Sequence, residues 1–164
     1  MSDTQYLGLV SDSHGRFGAL EKMADAEPHV GAWIHAGDYS RDGDDLALYT
    51  DVPVFSVLGN NDLWSDSDAP ERRVVTWQGV RIAVIHGHQW YGERRMKKLL
   101  ELGRTAGASL VVFGHSHRRF LEEEQGITLV NPGSIALPRD NKRGTYAVCE
   151  ITNGTVCNII FKEI

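Results

Sequence analysis

Gly114-His115-Ser116-His117 sets two imidazoles on alternate positions directly after a short apolar run, Leu110 to Phe113. Presented at the end of a strand, such a pair can serve as metal ligands waiting for partners. A surface turn would account for the tetrapeptide equally well, so the partners decide. The chain offers Asp12 and His14 two apart, Asp38 after Gly37, Asn60 and Asp62 after Gly59, and His86 ahead of Gly87-His88. All are oxygen or imidazole donors and no thiolate is among them. That donor set suits manganese, iron, magnesium or zinc in a site that also holds water, rather than a closed structural zinc site.

Each group follows a strand-like run: Tyr6 to Val10, Ala32 to Ala36, Val54 to Leu58, Val80 to Ile85, and Leu110 to Phe113. Between the first three lie a helix beginning at Phe17, with Phe17, Leu20 and Ala24 at helical spacing and Pro28 to stop it, and a shorter one from about Asp44 to Tyr49. Strand, helix, strand, helix, strand predicts a parallel sheet, and open α/β sheets place ligands at the carboxyl ends of their strands. The first three groups therefore meet in one crevice. Leu63 to Glu71 is acidic, lacks periodicity and reads as a loop beside it.

The remainder predicts a hairpin of Arg72 to Trp77 and Val80 to Ile85 around Gln78-Gly79, then a helix from Glu93 to Ala106 closed by Gly107. Met96, Leu99, Leu100 and Ala106 form its apolar stripe; Arg94, Arg95, Lys97 and Lys98 read as its solvated face. A second hairpin spans Phe120 to Gln125 and Ile127 to Val130, an irregular loop runs from Asn131 to Lys142, and a third hairpin pairs Gly144 to Ile151 with Thr155 to Phe161. Asn153-Gly154 is its turn, which predicts Glu150 opposite Cys157 and Cys149 opposite Asn158. The two cysteines then face opposite sides, which disfavours a disulfide and agrees with a reducing compartment. The second half reads as largely antiparallel. The expectation is a single α/β domain over residues 1–164, a four-layer αββα sandwich of two packed mixed sheets flanked by helices.

A hydrophobic share of 41% with 24% charged residues excludes a disordered or collagen-like chain. The net charge of −5 disfavours a nucleic-acid polymer as partner. No run is long enough to span a membrane and the first residues carry no signal peptide pattern, so a cytoplasmic protein without a membrane partner is expected.

Taken together, Asp12-x-His14, Gly37-Asp38, Gly59-Asn60-x-Asp62, His86 and Gly114-His115-x-His117 resemble the signature of the calcineurin-like metallophosphoesterase superfamily, in the family order. Small size, His86-Gly87-His88 and Asn131-Pro132-Gly133-Ser134 bring the chain nearest to the compact bacterial and archaeal phosphodiesterases, and to the retromer subunit Vps29, which shares their fold. Singly, each motif can be a plain turn or cap; together those plain readings need five coincidences in order.

The resemblance implies two divalent cations, manganese first, with nickel, iron, zinc or magnesium also compatible. One would be held by Asp12, His14, Asp38 and His117, the other by Asp38, Asn60, His86 and His115, with the Asp38 carboxylate bridging. Cations roughly 3.5–4 Å apart depress the pKa of a bridging water from ~15.7 towards ~7, and the resulting hydroxide attacks a phosphodiester in line. Asp38, Asn60 and Asn61 would be the catalytic residues; Asn60, Asn61, His88 and Arg139 would contact a small phosphodiester substrate. A homo-oligomer is compatible. The alternative is a Vps29-like scaffold for protein contacts, with a metal site and little turnover.

Asn61 departs from the better-known pattern, in which a histidine follows Gly-Asn. An amide can donate to phosphate but is no general acid, so another donor serves, with His88 a candidate, or good leaving groups are preferred. His35, within a strand, reads as a satisfied structural histidine, and Ser116 as a spacer. Asn131 to Ser134 either shapes the site wall or is a structural turn. Arg139 and Lys142 could steer phosphate, although solvent-facing charge is their default reading. Trp64 and Trp90 sit in flanking loops where packing is the default role.

Overall fold

The computed structural model describes residues 3–62 and 68–164. Ten strands and three helices follow in the order β1 (Gln5–Val10), α1 (Phe17–Ala26), β2 (Ala32–His35), α2 (Ser40–Thr50), β3 (Val54–Ser56), β4 (Arg72–Trp77), β5 (Val80–Ile85), α3 (Gly92–Ala106), β6 (Leu110–Val112), β7 (Arg119–Glu124), β8 (Ile127–Pro132), β9 (Thr145–Thr152) and β10 (Thr155–Glu163), with a single 3₁₀ turn at Asn60–Asp62 after β3. Two five-stranded sheets form, ordered β10-β9-β1-β2-β3 and β4-β5-β6-β8-β7.

Side-chain alternation builds the layers. In β1 and β2, Leu7, Leu9 and Ile34 point between the sheets, where they meet Ile82, Val84, Leu110, Val112 and Val130. Their neighbours point outward. Val10 and Trp33 meet Leu20 and Met23 of α1 and Leu46 of α2. On the second sheet Ala83, Ile85 and Val111 meet Leu99 and Leu100 of α3. Period-two alternation on both sheets thus gives an inner apolar layer and two outer ones, the expected αββα sandwich.

The structure refines the sequence expectation in several details. The second half is largely antiparallel, as expected, in the β4–β5, β7–β8 and β9–β10 pairs, but β5, β6 and β8 run parallel at the centre of their sheet. The final hairpin also leaves that sheet and joins the first, with β9 antiparallel to β1. Within that hairpin Asn153 and Gly154 both have positive φ, as a two-residue turn requires. A bulge then shifts the ladder, so Glu150 faces Asn158 and Cys149 faces Ile159. Cys149 is buried and Cys157 exposed, both as free thiols, and burial pushes the Cys149 thiol up to about 12. Helix α2 starts at Ser40, four residues before the expected Asp44, which places Asp42 in its first turn. Among the described residues no helix is long and apolar enough to cross a membrane.

Candidate metal centre

The carboxyl ends of β1, β2, β3, β5 and β6 converge on one edge of the sandwich, because the parallel strands of both sheets deliver their following loops there. Asp12 and His14 follow β1, Asp38 follows β2, Asn60 and Asn61 form the turn after β3, His86 and His88 follow β5, and His115 and His117 follow β6. Of the ten non-glycine residues with positive φ among the described residues, six are Asp12, His14, Asp38, Tyr39, His115 and His117. Left-handed backbone costs energy for such residues, so its concentration here marks a site held in shape by its surroundings.

Those surroundings can be named. Asp42 Oδ2 accepts from Ser13 Oγ at 2.6 Å and from the Gly15 amide at 2.9 Å, which clamps the Asp12–Gly15 turn. His35 is fully buried; its Nδ1 accepts from the Gly37 amide, so its Nε2–H donates to Ser13 Oγ at 2.9 Å. Burial lowers its pKa despite Asp42 and keeps it neutral, the satisfied structural histidine expected. Asp62 accepts from the Ser40 and Gly59 amides at 2.9 and 2.8 Å, tying the turn after β3 to the start of α2. Asn131 Nδ2 donates to Gly114 O and Ser116 Oγ, and Ser134 Oγ donates to Asp12 O at 2.8 Å. The Asn131–Ser134 segment is therefore a wall of the site, and Ser116 is more than a spacer.

Within this frame one ligand atom each of Asp12, His14, Asp38 and His117 lies within 4.8 Å of the others. His86 Nε2 stands 3.6 Å from Asp12 Oδ1 and 3.5 Å from Asp38 Oδ1, and its ring is 5.2 Å from that of His115. His117 Nδ1 meets Leu137 O at 2.8 Å and His86 Nδ1 meets Ala36 O at 2.7 Å. A carbonyl only accepts, so both Nδ1 atoms carry hydrogen and both Nε2 atoms turn towards the carboxylates. Asp12 Oδ2 is engaged by Ser11 Oγ and the His115 amide, whereas Asp12 Oδ1, Asn60 Oδ1 and His86 Nε2 are buried without a hydrogen-bond partner. Buried oxygens and ring nitrogens left bare are costly unless a cation satisfies them. The residues present fit divalent cations.

Charge follows the same plan. Burial opposes ionisation of Asp38, but His86 and the two N–H groups of Asn61 outweigh it and hold its carboxyl well below the usual range. Burial, with His86 and Arg95 nearby, pushes His115 down to about 4, so it is a neutral donor at pH 7. Burial also lowers His14, in spite of Asp12 and Asp38.

Asn61 does not stand free. Its backbone N–H and its Nδ2 donate to the two oxygens of Asp38, at 3.0 and 2.8 Å. His88 lies beside the cluster, its ring 5.5 Å from that of His86 and its Nδ1 buried without a partner. Arg139 is exposed; its amide donates to His117 O. Arg95 is not part of a solvated face: its Nε donates to Gly87 O and Trp90 O and pins the His86–Trp90 loop. Trp90 packs against the α3 cluster with Arg72 over its ring, and Trp64 lies outside the described residues. Asp42 had no signal in the sequence beyond its acidity, because its role depends on where α2 begins.

The calcineurin-like phosphoesterase superfamily domain matches residues 6–154. The chain belongs to that superfamily. A probable metallophosphoesterase of Methanothermobacter thermautotrophicus is 33% identical over 136 residues, 81% of this chain and 78% of that protein. The phosphodiesterase MJ0936 of Methanocaldococcus jannaschii is 24% identical, over 77% of this chain and 82% of its own. Among solved structures of the phosphoesterase fold, a predicted phosphoesterase from Streptococcus pneumoniae superposes with a TM-score of 0.80 at 28% identity, covering 98% and 90% of the two chains. Vps29 from Cryptosporidium parvum superposes at 0.72 with 18% identity, covering 98% of each chain, a likeness of fold alone.

Proposed function

We propose that this metallophosphoesterase is a phosphodiesterase acting on small phosphodiesters with two divalent cations, manganese foremost. Asp12, His14, Asp38 and His117 would hold one cation, and Asp38, Asn60, His86 and His115 the other. When bound, the cations supply Lewis acidity toward the phosphate and a water made nucleophilic at neutral pH. The chain's own part is orientation. Leu137 O and Ala36 O fix the rings of His117 and His86, Asn61 holds both oxygens of Asp38, and Ser11 and the His115 amide hold Asp12. The neutral Asn60 carbonyl limits negative charge where an anionic substrate must approach.

The observation that carries this reading is the pair of imidazoles locked with Nε2 towards buried carboxylates, where Asp12 Oδ1 and His86 Nε2 have no hydrogen-bond partner. Preference for diesters rests on the likeness to the archaeal phosphodiesterase. Asn61 is no proton donor to a leaving group, which favours esters with good leaving groups, and His88 stands where it can contact the substrate. Retention of Asp38 and Asn60 beside a full histidine set weighs against a scaffold that has lost catalysis.

The test is hydrolysis of a panel of aryl and alkyl diesters and monoesters by manganese-loaded protein, beside Asp38→Ala and Asn60→Ala. Diesters should be cleaved faster than monoesters, and each substitution should cost at least about 100-fold, beyond the ~10–100-fold typical of removing a mere supporting contact. Equal rates in either variant, or no cleavage by fully loaded wild type, overturn the reading.

A further inference from the structure

A second basic feature lies on the other side of one loop from the metal centre. Arg16, Lys22, Lys142 and Arg143 line a groove of about 410 Å³ whose floor is Ala19, Ile135, Ala136 and Ile164. Four cations around one concavity stand out in a chain of net charge −5. Among the described residues none of the four has an ion-pair partner. Of the nearby acids, Asp140 pairs with Arg119, and Glu163 accepts from the Asn141 side-chain amide rather than from one of the four cations. Like charges gathered without direct ion-pair partners repel one another, an arrangement that an anion relieves.

The groove is close to the chemistry. The Leu137 carbonyl accepts from His117 Nδ1, and the carbonyl of the preceding residue, Ala136, accepts from Arg16 Nη1. Successive Cα atoms lie about 3.8 Å apart, so the wall between a metal-ligand histidine and the nearest groove cation is one peptide unit. Arg16 is also two residues from His14, at most roughly 7 Å along the chain. Arg139 continues the basic strip to the His117 side, whereas across the centre α2 and the turn after β3 carry Asp42, Asp44, Asp45 and Asp62.

We infer that this groove is a second anion subsite, and that the preferred diesters carry a further phosphate lying in it while the scissile phosphate occupies the metal centre. The inference rests on the phosphoesterase reading and narrows its substrate class from any small diester to one with a second phosphate. Guanidinium groups pair bidentately with phosphate oxygens and lysines add point charge, so Arg16 and Arg143 orient the group while Lys22 and Lys142 attract it.

Two arms test it. The first compares thymidylyl-thymidine with and without a 5′-phosphate, using manganese-loaded wild type and Lys142→Glu/Arg143→Glu, neither of them a buried position. Wild type should favour the phosphorylated substrate by about tenfold in kcat/KM at low salt, with the preference shrinking as salt screens the groove. The variant's ratio should fall to about one or below. A wild-type ratio near one, or a preference that survives in the variant, overturns the subsite even if both substrates are cleaved. The second arm titrates inorganic phosphate into isotope-labelled, metal-free protein. Saturable amide shifts at Ala19 and Gly144 that vanish in the variant support the subsite. Shifts confined to the Asp12–Gly15 turn, or none, count against it. If no ester is hydrolysed at all, the phosphoesterase reading fails and the second arm still decides the subsite.

Discussion

At the scale of single residues, Asn61 carries the clearest lesson. It occupies a position from which a side chain could address phosphate, yet its amide and backbone grip the two oxygens of Asp38. Two N–H donors on one residue fix the plane of that carboxylate, as the bridging role proposed for Asp38 would require. Asn61→Ala should remove the side-chain bond, keep the backbone one, and weaken manganese binding by roughly 10–100-fold, the usual cost of losing a supporting contact to a ligand. Calorimetric titration of the metal-free protein measures it directly. Unchanged affinity would return Asn61 to a role in contacting substrate alone.

At the scale of elements, the centre exists because strand ends approach closely. A Cβ on Gly59 would lie 2.2 Å from Asp38 Oδ1 and 2.4 Å from the Asp38 amide nitrogen, so the turn after β3 sits on the Asp38 loop that follows β2 with no room for a methyl group. Gly59→Ala should therefore destabilise the fold by about 1–3 kcal/mol, as overpacking does, and loosen metal binding with it. Gly18 in α1 makes the contrast, since nothing lies within 4 Å of its added Cβ. Gly18→Ala should stabilise by roughly 0.4–1 kcal/mol through the unfolded chain. Urea unfolding of the two variants reads both signs, and destabilisation by both would mean that the packing around Gly59 is not the cause.

At the scale of the whole molecule, the proposed ligands come from five strand ends in two sheets, so cation binding there would clamp one sheet to the other. A ligand that binds only the folded state at a hundred times its Kd adds about 2.7 kcal/mol of stability. For a chain of this size that is a rise of roughly 5–10 °C in Tm on adding manganese to chelator-treated protein. In His117→Ala, which removes one donor from the Asp12–His14–Asp38–His117 group, most of the rise should disappear, as differential scanning calorimetry would show.

Much of this was legible in the residues. Donor types and their order already implied a metallophosphoesterase, because unrelated turns and caps do not set hard ligands after five successive apolar runs in that order. Strand alternation placed the elements to within a few residues, and Gln78-Gly79 and Asn153-Gly154 marked turns whose positive φ values follow from local chemistry. Long-range partners were not legible. Asp42 meeting Ser13, Asp62 joining two loops, Asn131 bracing the histidine turn and the Arg16–Arg143 groove each join residues far apart in the chain. Nothing in a residue's type or its neighbours says which buried donor it will meet; that depends on how two sheets pack. The same holds for β9, which pairs with β1 rather than with the sheet that precedes it. The kind of donor offered is a property of residue types, and so the sequence determined it. Ligand orientation depends on contacts between distant segments, and only the tertiary structure decided it.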